Sequence, residues 1–137
     1  VSTAAGYSGT PLAKKLGYRE GTCALLVSAP PGLPEGLAPL PPGVRFVSRI
    51  GGGVDLVHAF FTERSKLAAF LAATRTRLRA DATLWISWPK KSTRVATDIT
   101  EDALRAEALP LGFVDVKVCA VSDTWSGLKL VIRKELR

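Results

Sequence analysis

Short uninterrupted apolar runs alternate with amphipathic or turn-rich stretches along this chain, and the order of the two predicts its architecture. Cys23 to Val27 carries no polar residue, too uniform a run for a sheet with one face in water, so it reads as a strand covered on both sides. Val44 to Val47, Val54 to Phe61, Ala82 to Trp88, Val114 to Val121 and Leu128 to Arg133 follow as further strands. Glu63 to Ala80 has the helical period instead, with Leu67, Phe70, Leu71, Thr74 and Leu78 on one stripe. Thr62 is positioned to cap it, and Arg75 and Arg79 sit near its negative end.

The boundaries come from turn and cap chemistry. Thr10 as cap, Pro11 at the first helical position and Gly17 as terminator predict a helix of about two turns. Between residues 29 and 43, Pro30, Pro31, Pro34, Pro39, Pro41 and Pro42 leave room for no more than a short helix near Glu35 to Ala38. Gly51, Gly52 and Gly53 turn the chain into its third strand. A last helix is expected after Asp98 or Thr100, with Asp98 and Glu101 at capping-box spacing, and Gly112 closes it. Ser122 to Gly127 suits a hairpin loop longer than two residues.

Strand, helix, strand, helix, strand, turn, strand in the second half implies an α/β domain with a mostly parallel sheet finished by an antiparallel hairpin. One domain over residues 10–137 is expected, preceded by a flexible leader over residues 1–9. The strands Asp55 to Phe61 and Thr83 to Ser87 should be parallel neighbours bridged by the long helix.

The 47% hydrophobic content supplies a sizeable core, and no apolar stretch approaches the roughly 18 residues of a membrane span. Cys23 and Cys119 lie far apart in strand-like runs, without CxxC spacing, and read as buried reduced thiols in a cytoplasmic protein. The net charge of +7 favours anionic partners, but the basic residues are scattered rather than gathered on one recognition element. Two cysteines and one histidine do not make a metal ligand set, and no cofactor is indicated.

Three segments, GYSGTPLAKKLG at Gly6 to Gly17, LWISWPKK at Leu84 to Lys91 and VDVKVCAVSDTWSGLKLVIRKELR at Val114 to Arg137, resemble the bacterial family known as domain of unknown function 3052. That resemblance implies no activity. The element order separately resembles a shortened Rossmann-like class I methyltransferase fold. Such an enzyme needs glycines after its first strand, so that the backbone approaches the methyl donor, and usually an acidic residue ending the second. Here the first loop is Ser28, Ala29, Pro30, Pro31, Gly32, Leu33, Pro34, and the second strand runs into Ser48 and Arg49, so both signatures fail. Gly51 to Gly53 lacks the spacing of a phosphate loop and reads as a turn.

Ligands in open α/β sheets bind beyond the carboxyl ends of parallel strands, which singles out the loops after Val27, Phe61 and Ser87. The last is the most loaded. Trp88 offers a stacking face, Lys90 and Lys91 positive charge, and Ser92 and Thr93 hydroxyls, a set suited to an anionic or aromatic small molecule. The alternative is a tryptophan packed at a strand end beside solvated lysines. His58 reads as a satisfied core histidine, Asp98 and Asp123 as cap and turn residues, and Ser126 lacks the context of a nucleophile elbow. These readings favour a non-catalytic binding or regulatory module on a degenerate methyltransferase-like fold. The alternatives are a methyltransferase with an atypical donor loop and a nucleic-acid binder.

Overall fold

A computed structural model describes residues 10–137; the expected leader over residues 1–9 lies outside them. The strands are β1 (Cys23–Val27), β2 (Arg45–Val47), β3 (Leu56–Phe60), β4 (Thr83–Pro89), β5 (Phe113–Ala120) and β6 (Trp125–Ile132). They form one sheet in the order β2-β1-β3-β4-β6-β5. The first four are parallel, and β6 runs antiparallel between β4 and β5. Leu56 pairs with Thr83 and Phe60 with Ser87, so β3 and β4 are the parallel neighbours expected.

Both faces of the sheet are covered. On one, Val57, Ala59, Leu84 and Ile86 pack under helix α3 (Arg64–Arg75) through Leu67 and Leu71, and under α4 (Glu101–Ala108) through Leu104 and Ala108. On the other, Leu56, Phe60 and Trp85 pack under α1 (Leu12–Leu16) and the four-residue α2 (Leu33–Gly36). Five strand positions in a row, Leu56 to Phe60, are buried, as a doubly covered strand requires. Asp55 fastens the entry edge: its carboxylate accepts from the Cys23 N–H at 2.8 Å and pairs with Arg79 at 2.8 Å.

Several boundaries differ from expectation for identifiable reasons. Pro11, not Thr10, takes the cap position of α1, and no side chain caps that helix. Gly17 closes it as expected, at φ 92, with its N–H on Lys14 and the Tyr18 N–H on Ala13 in a Schellman motif. Helix α2 starts at Leu33 rather than Glu35, because Pro34 fits the first turn, where its missing N–H is not needed. Thr62 does not cap α3. Asp98, 34 residues beyond Arg64, accepts from the Arg64 N–H at 2.6 Å, and Thr100 caps α4 by accepting from the Ala103 N–H at 3.0 Å. Helix α3 ends at Arg75 rather than Ala80, since Arg77 and Leu78 both donate to the Thr74 carbonyl in a turn. β6 begins at Trp125, three residues before Leu128. Gly127 belongs to the strand, paired with Ser87 and Cys119, and only glycine fits there because a side chain would meet Val121 Cγ2 at 2.9 Å and Trp85 Cε3 at 3.2 Å.

Candidate functional site

β1 delivers the chain to the carboxyl edge of the sheet at Val27, and the proline-dense segment that follows forms a ridge across that edge. Ser28 begins it at φ 56, a left-handed conformation uncommon for a residue with a side chain. A cleft of about 680 Å³ opens on one side of the ridge and a groove of about 430 Å³ on the other, and they share no lining residue.

The larger cleft is walled by the start of α1, by Pro30 to Gly36 and by the β5–β6 hairpin. Among the described residues, Lys15 is its one charged lining group, and its Nζ donates to the Ala120 carbonyl at 3.4 Å. Thr10, Ser122 and Thr124 add hydroxyls, while Leu12, Leu33 and Trp125 supply apolar surface. Ser122 Oγ is engaged as the acceptor of the Thr124 and Trp125 N–H groups at 3.2 and 3.1 Å, which shapes the hairpin wall. No carboxylate, imidazole or thiol of the described residues lines this cleft, and Lys15 is the one ionisable side chain among them.

The single histidine lies beneath the wall. Trp125 meets Phe60 edge-on at 5.2 Å, Phe60 stacks on His58 at 4.3 Å, and His58 Nε2 lies 2.7 Å from Ser87 Oγ. His58 and Ser87 are fully buried, and burial pushes the imidazole down to about 3, keeping it neutral. A neutral, enclosed pair of this kind is part of the core. The His58 Nδ1 has no hydrogen-bond partner among the described residues.

The loop after β1 is poor in the backbone donors that a methyl donor of the adenosylmethionine type would need. Pro30, Pro31 and Pro34 carry no N–H, the Leu33 N–H is spent on Pro30, and the Gly36 N–H is spent on Gly32. β2 ends at Val47 and continues into Ser48 and Arg49, with no carboxylate for ribose hydroxyls.

The loop after β4 is tied to the hairpin by the Lys90 N–H, which donates to the Thr124 carbonyl at 2.8 Å, and is closed on itself by Thr93, whose Oγ1 donates to the Lys90 carbonyl at 2.8 Å. Trp88, Lys90 and Lys91 come together in a groove of about 420 Å³, and Ser92 lies exposed outside its lining. Trp88 is 7% exposed and packs within the core with Ile99 and Ile86, so little of its ring faces the groove. Glu101 and Asp102, from the first turn of α4, line the same groove and oppose the lysine charge. Ser126, level with Trp88 on the next strand, lines it too.

Cys23 is buried and Cys119 half-buried, where burial pushes its thiol up. Asp123 lies exposed on the hairpin loop. Lys15 and Trp125 of the larger cleft escape sequence reasoning because they meet only when the chain's two ends fold onto one edge. The proline density between residues 29 and 43 was the available signal for a fixed wall there.

No family model matches the chain, and no curated protein matches it, so the resemblance to the domain-of-unknown-function family rests on the three quoted segments. Solved structures do match. A possible exported protein from Bordetella parapertussis superposes with TM-score 0.63 at 13% identity, over 87% of this chain and 65% of that one. An S-adenosylmethionine-dependent methyltransferase from Aquifex aeolicus gives 0.63 at 17% identity, over 88% and 87%. Fibrillarin from Aeropyrum pernix, solved with natively bound S-adenosyl-L-methionine, gives 0.56 at 13% identity, over 89% and 69%. This chain therefore spans 65% of the Bordetella protein's length and 69% of the fibrillarin's. At these identities the likeness is one of fold, and the fold is that of the class I methyltransferases, reduced to a six-stranded sheet.

Proposed function

We propose that this domain is a non-catalytic ligand-binding module that holds a small molecule with an apolar body and an anionic end in the 680 Å³ cleft. One observation supports the reading above others: a cleft of about 680 Å³ lies at the carboxyl edge, where open α/β sheets bind ligands, and its described lining offers one cation, Lys15, and no carboxylate, imidazole or thiol beside it. Lys15 would meet the anionic end, and Leu12, Leu33 and Trp125 the apolar body. A thermal-shift screen of small amphipathic carboxylates tests this, since a ligand that binds only the folded state raises apparent stability. At least one should raise the melting temperature in the wild type and lose most of that shift in Lys15→Gln. Stabilisation that survives Lys15→Gln, or none from any carboxylate, refutes the reading.

The rival is a methyltransferase with an atypical donor loop, which the fold supports and the loop chemistry opposes; stabilisation by S-adenosylmethionine would favour it. The groove of Trp88, Lys90 and Lys91, flanked by Ser92, remains a secondary anion site. There Lys90→Ala with Lys91→Ala should weaken anion binding without unfolding the domain.

A further inference from the structure

The groove on the other side of the ridge has a different chemistry. It runs along the carboxyl ends of β1 and β2 beside α3. Its origin is topological: β2 and β3 are joined by residues 48–55 alone, too few for a helix to cover this face. Leu25, Val27, Ile50 and Phe70 form an apolar floor, and Arg49 and Arg77 stand at the rim. No acidic residue among those described lines it. Arg64, Arg79 and Arg105 are each committed to ion pairs, but neither Arg49 nor Arg77 has a partner among the described residues. Ser28, in its left-handed conformation, lines the groove at the end of β1, and strained backbone of this kind concentrates at ligand sites.

Arg49 stands two residues past the end of the second strand, with Ser48 between. In doubly wound sheets an acidic residue near this position bonds ribose hydroxyls, whereas an arginine nearby accommodates a phosphate. We infer that this groove binds a small phosphomonoester carrying an aromatic or other apolar group, its phosphate held between Arg49 and Arg77 and its apolar part on Phe70 and Ile50. Guanidinium groups suit the task because their planar donor fork matches phosphate oxygens bidentately and is not lost to titration. The site is independent of the larger cleft and does not rest on its reading.

Calorimetric titration of the whole chain with phenyl phosphate, the common nucleoside monophosphates, their dephosphorylated counterparts and a single-stranded oligonucleotide tests the inference. At least one phosphomonoester should bind with a dissociation constant of about 0.1 mM or tighter. Arg49→Gln and Arg77→Gln should each weaken it at least about tenfold, the scale of one lost charge-assisted hydrogen bond, with melting temperatures unchanged. Lys15→Gln should leave the binding intact, which separates this site from the cleft. Absence of binding by every phosphomonoester, equal affinity for a dephosphorylated counterpart, or insensitivity to both arginine replacements would overturn the inference. So would tighter binding of the oligonucleotide, which would assign the arginines to a nucleic-acid backbone.

Discussion

Ser87→Ala removes the one hydrogen-bond partner that His58 has among the described residues. Both side chains are fully buried, the Nε2–Oγ distance is 2.7 Å, and Nδ1 is already unpaired. The substitution leaves two buried nitrogens orphaned, a cost of about 1–3 kcal/mol. Combining it with His58→Leu removes the orphans as well, so the double variant should be more stable than Ser87→Ala alone, with a coupling of about 1 kcal/mol or more. The same site predicts a pH dependence. Folding holds His58 at about 3, below the ~6.5 of the unfolded chain, so as pH falls the unfolded chain takes up the proton first. The stabilisation is therefore complete above about pH 6.5 and drains toward pH 3 at ~1.4 kcal/mol per unit, a loss of about 2 kcal/mol between pH 7.5 and pH 5. No other histidine confuses this window, and Asp55 and Asp115, held low by their partners, lose their contribution only below about pH 4. Urea unfolding of wild type, both single variants and the double variant at the two pH values measures all of it. A wild type equally stable at both, a pH slope that persists in His58→Leu, or a Ser87→Ala cost under about 0.5 kcal/mol would refute the reasoning.

Three further outcomes are expected. Gly127→Ala, whose added carbon would meet Val121 Cγ2 at 2.9 Å and Ser87 Oγ at 3.3 Å, should destabilise by about 1–3 kcal/mol in chemical denaturation. Asp98→Ala should cost about 1 kcal/mol and increase amide exchange at the start of α3, because it removes that helix's cap. Asp55→Ala should cost about 1.5–3 kcal/mol at pH 7, since it frees the Cys23 N–H and one side of Arg79. Its carboxyl is held low by the Cys23 N–H first and Arg79 second, so the stabilisation is present above about pH 3.9 and lost as pH falls through the folded value; the variant should lack that acid limb.

The fold was legible wherever local pattern and tertiary environment agree. A continuous apolar run marked β1, mainly apolar runs marked β3 and β4, which are covered on both faces, and the 3.6-residue stripe of Leu67, Leu71 and Thr74 marked α3. Errors arose where a distant residue decides the local outcome. Asp98 rather than Thr62 caps α3, and Gly127 is a strand glycine demanded by the crowding of Val121 and Trp85, although its sequence neighbours read as a turn. The candidate site was less legible. The loop after Ser87 stood out by residue type, but the acidic start of α4 that shares its groove is separated from it by the loop over residues 90–100. Lys15 and Trp125 are 110 residues apart in number and meet at one cleft, a proximity that only the sheet order creates.

The central claim is that a methyltransferase fold here lacks the means to hold the methyl donor, and direct calorimetric titration with S-adenosylmethionine tests it. With Pro30, Pro31 and Pro34 lacking amide donors and Arg49 standing where a carboxylate would bind ribose, the account predicts no binding heat up to millimolar donor. Saturable binding at micromolar affinity would contradict it and return the domain to the enzymes whose fold it shares.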